Sequence, residues 1–182
     1  MNKTAVIYLS KTGFTEKYAG WIAQETGAKA ISFRECTKNR LSEILNTYDV
    51  IVFGSRLVGG MIEGLPKAKK MFFNNKNRFL VFTTGASPDC DETQETLKKM
   101  WEKNLTAEEL EKIPHFYMQS GLCYEKMPFM ERTMMNALKS VLKKKKSVEG
   151  IDEGMAKAIE NSFDASDKKY IMPLAELLKN SN

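Results

Sequence analysis

The sequence predicts a doubly wound α/β fold, and three observations lead there. Short apolar runs recur without alternation: Ala5-Val6-Ile7-Tyr8-Leu9, Val50-Ile51-Val52-Phe53 and Phe79-Leu80-Val81-Phe82. Continuous apolarity of strand length marks strands buried on both faces, as in a parallel sheet covered by helices. Amphipathic stretches at helical spacing separate these runs, and right-handed crossovers then place helices on both faces of the sheet. The chain has 182 residues, 42% hydrophobic and 28% charged, which suits one domain over residues 1–182 with a sizeable core.

Two further strands complete the set. Ala30-Ile31-Ser32-Phe33 is a weaker run suited to a sheet edge, and His115-Phe116-Tyr117-Met118 is a candidate fifth strand. Five parallel strands fit the order 2-1-3-4-5. From Thr15, the residues Tyr18, Trp21, Ile22 and Glu25 form a helical stripe that Gly27 ends. Leu41, Ile44 and Leu45 mark a second helix, and a third is expected over 66–73. A fourth is expected over 91–102, with acids in its first turn and lysines later, as the helix dipole favours. Tyr170, Leu174, Leu177 and Leu178 mark a C-terminal helix.

A sheet of this order binds ligands at the carboxyl ends of the strands flanking its switch point, here strands one and three. The loops that matter therefore begin at Ser10, Gly54 and Thr84. The first, Ser10-Lys11-Thr12-Gly13-Phe14-Thr15, follows a buried strand and opens a helix. A helix N-terminus carries unpaired N–H groups and partial positive charge, so an anion is favoured there, and hydroxyls add donors. Gly13 lets the backbone approach closely. The plainer reading is a helix cap by Ser10 or Thr12. The loop lacks Gly-Lys-Ser/Thr and Gly-x-Gly-x-x-Gly, and no acidic pair follows strand one, which removes the phosphoacceptor reading.

These residues resemble the flavodoxin family. Its phosphate loop has the form Ser/Thr-x-Thr-Gly-x-Thr, matched by Ser10, Thr12, Gly13 and Thr15. The resemblance continues in Tyr48-Asp49-Val50-Ile51-Val52-Phe53-Gly54-Ser55 and in Thr83-Thr84-Gly85-Ala86, covering about 3–120 and resuming near 160–180. It implies a flavodoxin-like fold that binds FMN. The phosphate would lie on Ser10, Lys11, Thr12, Gly13, Phe14 and Thr15. The isoalloxazine would lie between Ser55, Arg56, Leu57, Val58 and Gly59 on one loop and Thr84, Gly85, Ala86 and Ser87 on the other. Gly59-Gly60 suits a turn closed to other residues. Arg56 and Lys11 would either stabilise negative charge on reduced flavin or face solvent. Asp89, Asp91 and Glu92 read as cap and first-turn acids of the fourth helix.

Electron-carrier flavodoxins usually stack aromatic rings on the flavin, and many are acidic. Neither flavin loop here holds Trp, Tyr or Phe, and the sequence pI is about 9.0. Fewer negative charges near the ring would raise the flavin potential.

Residues 121–165 exceed a minimal five-stranded fold. A helix beginning at Pro128 places Met130, Met134, Leu138 and Val141 on one face, and Lys143-Lys144-Lys145-Lys146 closes it. That face would pack on the core, or would form an adaptable wall for a flat apolar substrate or membrane quinone. Gly121-x-x-Tyr124 followed by the Phe129-Met130 helix is loosely similar to the flavodoxin-like class of protoporphyrinogen oxidase. The lysine run reads as a solvated helix end or as a contact for an acidic partner or anionic membrane.

Function follows as an expectation: an FMN-dependent oxidoreductase passing electrons to or from a quinone, porphyrinogen or similar planar molecule. The alternative is an electron carrier that docks on a redox partner protein. FMN would carry the chemistry, so no side-chain nucleophile or metal is required. The only histidine, His115, sits in an expected strand. Cys36, Cys90 and Cys123 are too scattered for a disulfide framework or zinc site. No leader or apolar span is read, which suggests the cytoplasm, with membrane association through the lysines, and no nucleic-acid partner is expected.

Overall fold

The computed structural model describes residues 2–73, 75–145 and 159–180, with residues 142–145 as backbone only. In chain order the elements are β1 (Thr4–Leu9), α1 (Phe14–Thr26), β2 (Lys29–Ser32), α2 (Lys38–Thr47), β3 (Val50–Val58) and β4 (Met61–Ile62). Then come α3 (Leu65–Ala68), β5 (Arg78–Gly85), α4 (Gln94–Asn104), α5 (Ala107–Lys112) and β6 (His115–Gln119). The last are β7 (Gly121–Leu122), α6 (Phe129–Lys145), β8 (Phe163–Asp164) and α7 (Met172–Lys179).

The main sheet runs β2-β1-β3-β5-β6, with parallel pairing at every step of that path. This is the expected strand order; β4 is an added hairpin strand, antiparallel to the end of β3. Side chains alternate across each strand and enter two separate cores. Ala5, Ile7, Ile51, Phe53, Phe79 and Val81 join Ile44 of α2, Leu65 of α3 and Leu97 and Trp101 of α4 on one face. Val6, Val50, Val52, Leu80 and Phe82 join Tyr18 and Ile22 of α1 and Leu174 and Leu178 of α7 on the other. Two buried faces are why these strands read as unbroken apolar runs.

Gly54 on β3 makes room for the ring of its register partner on β5, Phe82. A Cβ on it would lie 2.0 Å from the Phe82 ring, which is itself fully buried. Tyr18 ties α1 to the far edge: its hydroxyl donates to the Gln119 carbonyl and accepts the Asp167 N–H at 3.1 Å. Burial pushes the Tyr18 hydroxyl up to about 12, against the lowering effect of that N–H.

Several boundaries depart from the sequence reading. Phe33 leaves β2 and turns into a short 3₁₀ segment, because its ring packs edge-on against Phe53 at 5.2 Å. The third helix is α only over Leu65–Ala68 and widens into a π turn at Lys69–Phe73. The fourth begins with a 3₁₀ turn at Asp91–Thr93, capped reciprocally by Cys90 and Thr93 rather than by an acid. Asp89 instead accepts from the Gln94 side chain at 2.8 Å. His115 bonds the Ile113 carbonyl at 2.8 Å and packs on Trp101.

The extra segment forms β7, β8 and α6, with β7 and β8 pairing as a small antiparallel sheet. Of the lysine run, Lys143, Lys144 and Lys145 fall in the last turn of α6, and Lys146 lies outside the described residues. No helix among the described residues is long and apolar enough to cross a membrane.

Candidate functional site

The carboxyl ends of β1, β3 and β5 converge at the switch point. After β1 the chain turns through Ser10, Lys11 and Thr12 into α1. Gly13 is the N-cap, left-handed at φ 99°, a conformation costly for a residue with a Cβ. Ser10 accepts the Gly13 N–H at 3.2 Å, so Ser10 shapes the loop and does not cap the helix. No side chain caps α1, which leaves its first-turn amides for an anion.

Thr15 behaves differently from its loop neighbours. It is 1% exposed, and its hydroxyl pairs with that of Thr84 at 2.9 Å, beneath the loop. The two residues therefore lock the first and third site segments together instead of presenting both hydroxyls to a ligand.

The second segment is strand rather than loop up to Val58. Ser55, Arg56, Leu57 and Val58 continue β3 because Leu57 and Val58 pair with Ile62 and Met61 across Gly59 and Gly60. Both glycines have positive φ, 58° and 79°, as a tight two-residue hairpin requires. Asn104, at the end of α4, clamps this hairpin: its amide oxygen accepts the Ile62 N–H at 2.8 Å and its amide nitrogen donates to the Gly60 carbonyl at 2.8 Å. Thr84 and Gly85 likewise belong to β5, while Ala86 and Ser87 lie beyond it. The Ser87 carbonyl accepts the Tyr117 hydroxyl at 2.8 Å.

Arg56 is where the site departs most from the sequence reading. It neither faces solvent nor stands free. Its Nε donates to Glu63 at 2.7 Å, and its two terminal nitrogens donate to Glu131 of α6 at 2.6 Å each. Lys11 pairs with the other Glu63 oxygen at 2.5 Å. Burial works against the Arg56 charge, but the bonds to Glu131 and Glu63 outweigh it and hold its pKa above the ordinary value. Burial likewise opposes the Glu63 charge, and its bonds to Lys11 and Arg56 prevail and hold its pKa below the ordinary value. Two cations facing two carboxylates form a locally neutral cluster, so the sequence reading of spare positive charge at Lys11 and Arg56 does not hold. Glu63 and Glu131 cancel it.

Through this clamp α6 roofs a cleft of about 180 Å³. Thr12, Phe14, Val58, Gly59 and Thr84 to Ala86 line one side, and Met127, Glu131, Met134 and Met135 the other. Ser120, absent from the sequence reading, also lines it, with its N–H and hydroxyl both on the Gly85 carbonyl. Cys123 and Leu122 join this cleft to a second space of about 420 Å³ beside Gly13, where Lys17 and Lys126 stand. The Lys126 ammonium would lie 3.8 Å from a Cβ placed on Gly13. Lys17 pairs with Asp164 of β8 at 2.7 Å. Lys126, Glu131 and Asp164 lie far from the loops in sequence, so no local motif signals them.

Comparison with known proteins bears on this arrangement. The family model described as a flavodoxin domain matches residues 5–149. Among solved structures, the flavodoxin, WrbA-like protein from Agrobacterium tumefaciens is 20% identical, over 73% of this chain and 90% of its own, at a TM-score of 0.42. A flavoprotein from Lactobacillus acidophilus, solved in complex with FMN, is 15% identical over 65% of this chain and 93% of its own, at 0.42. A flavodoxin from the domain Archaea is 16% identical over 97% and 99%, at 0.38. No curated protein matches the chain. Similarities this distant have no functional weight; the family match spans most of the chain and both central loops, and the chain belongs to the flavodoxin domain family.

Proposed function

We propose that this protein binds FMN at the switch point and exchanges electrons with a planar apolar molecule admitted under α6. The observation that supports the reading is the roof itself. A helix clamped over the strand ends by Arg56 and Glu131 shields the cleft from a docking protein, yet its Met134 and Met135, with Met127 just before it, offer polarizable, adaptable contacts to a flat ring.

The donor set fits the cofactor. An uncapped helix N-terminus, the Thr12 hydroxyl and the Lys126 ammonium suit a phosphate dianion. The slot between Val58-Gly59 and Gly85-Ala86 suits a flat ring, and the hinge of Gly59 leaves open space where a Cβ would stand. When bound, FMN supplies the electron-accepting and electron-donating chemistry, while the protein supplies orientation and electrostatics. Gly13 and the α1 amides orient the phosphate end. Thr15 and Thr84 tie the first turn of α1 to the end of β5. Arg56, kept charged by Glu63 and Glu131, contributes donors already committed to carboxylates, so it orients α6 rather than neutralising the ring. Methionines and Leu122 exclude water from the cleft.

The test is a fluorescence titration with FMN and with riboflavin, on wild type and Lys126→Ala, followed by reduction assays with quinones and protoporphyrinogen. FMN binding tighter than riboflavin, with the difference cut roughly tenfold in Lys126→Ala, is the expected result, one charge-assisted contact being worth about 1.5 kcal/mol. Absence of flavin binding overturns the reading. Binding without turnover of any planar substrate, but with reduction by a reductase protein, replaces the enzyme with an electron carrier.

A further inference from the structure

α6 is docked by its polar side. Glu131 meets Arg56, and the Lys139 ammonium donates to the Glu160 carbonyl at 2.9 Å while lying 3.9 Å above the Tyr124 ring. Met135 packs with Leu122 against Ile159. The apolar side is turned outward. Phe129 is 84% exposed and Met130 77%, and Met134, Leu138 and Val141 are exposed with them. A surface helix of a globular protein presents the opposite arrangement, with its apolar stripe on the core. The sequence reading that packs this face on the core is therefore corrected: Phe129, Met130, Met134, Leu138 and Val141 are open to solvent.

Charge is concentrated in the same place. Residues 126–146 contain seven basic side chains and one acid, Glu131, and that acid is taken by Arg56. The whole chain carries +5, so the remainder holds slightly more acids than bases. The basic character belongs to this helix and its flanks. An exposed apolar stripe on a helix rich in lysine is the pattern of an interfacial helix, where apolar burial and attraction to anionic lipid act together. Binding strength scales with buried apolar area and with attraction to anionic lipid, and both contributions are present here.

We propose that α6 lies in the surface of an anionic lipid bilayer, with Phe129, Met130 and Val141 among the acyl boundary and the lysines at the headgroups. A second copy of this chain fits less well, because a two-fold contact through this face would set two strongly positive helices against each other. Since Met134 also lines the cleft, the docked helix would open that cleft toward the bilayer, a consequence that rests on the flavin reading, whereas the docking does not.

The experiment is co-sedimentation of the full chain with vesicles of phosphatidylcholine alone and of an equal mixture of phosphatidylcholine and phosphatidylglycerol. Bound FMN is read from the same samples by absorbance. The protein is expected to pellet with the mixed vesicles and not with phosphatidylcholine alone, and to be released by high salt. The pair Met130→Ser and Val141→Ser, on exposed positions outside the cleft, should abolish pelleting with unchanged circular dichroism. Lys143→Gln with Lys144→Gln should weaken it, roughly fivefold per lysine. Failure to pellet with either vesicle overturns the proposal, as does equal pelleting with both. So does a dimer, seen by light scattering, that the serine pair dissolves. Loss of FMN absorbance with vesicle binding intact would overturn the flavin reading and leave the docking standing.

Discussion

Arg56 and Glu131 are separated by 75 positions, yet they meet in a two-pronged ion pair with both contacts at 2.6 Å. Planar guanidinium and carboxylate match best in this side-by-side geometry, which fixes orientation as well as distance. The pair joins the end of β3 to the first turn of α6 and so sets the height of the roof over the cleft. Glu131→Gln is expected to speed amide exchange across α6. With FMN bound, it should also raise the two-electron midpoint potential by on the order of 30 mV, because Arg56 then carries charge that no second carboxylate cancels. Protected exchange and an unmoved potential in this variant would show that the pair neither holds the roof nor tunes the site.

Acid should loosen the same cluster. Glu63 is held below its ordinary value: burial opposes its charge, and Lys11 and Arg56 more than compensate. Glu109 follows the same pattern through Lys69 and the Thr106 N–H. A depressed carboxylate contributes stability that is complete above its unfolded pKa and is lost as pH falls through the folded one. The window therefore lies below the ordinary glutamate value of 4.5. Urea midpoints measured at neutral pH and at about pH 3 should fall on acidification, and Glu63→Gln should fall less. Parallel curves for the variant and wild type would remove Glu63 from the cause.

Gly121 is the narrowest point of the small sheet. A Cβ there would lie 2.0 Å from the Phe163 carbonyl oxygen, a backbone atom that cannot rotate away. Gly121→Ala should split β7 from β8, cost about 1–3 kcal/mol in denaturant unfolding, and weaken FMN binding because Leu122, Cys123 and Asp164 all lose their positions. An unchanged midpoint with unchanged FMN affinity would mean that the small sheet is not part of the site.

The three thiols should differ in reactivity. Burial pushes Cys36 up to about 11 and shields it, whereas Cys90 and Cys123 are partly open. Thiolate is the reactive form, so a maleimide near neutral pH should label Cys90 and Cys123 and spare Cys36. Cys123 lines both halves of the cleft, and Cys90 lines neither. FMN should therefore slow labelling of Cys123 at least severalfold and leave Cys90 unchanged, as peptide mass mapping would read. Equal protection of both, or of neither, places the ligand elsewhere.

What the sequence determined by itself are the features that local chemistry controls. Val50 to Phe53 and Phe79 to Phe82 read as strands buried on both faces because successive side chains enter two cores, and no partner need be known to see it. Gly13 announced a backbone turn into α1, and Gly59-Gly60 a tight hairpin, because only glycine takes those torsions freely. Tertiary structure decided everything that depends on which distant side chains meet. It carried β3 on to Val58 by adding β4, and it turned the Thr15 hydroxyl to Thr84. It spent the charge of Arg56 and Lys11 on Glu63 and Glu131, and brought Lys126 over Gly13. The same helical stripe from Met130 to Val141 would suit a face on the core or a face on solvent, since periodicity records that residues share a side and not which way that side points. The direction was set by Glu131, whose pairing with a buried guanidinium turns its own side of the helix inward and leaves Phe129, Met130 and Val141 outside.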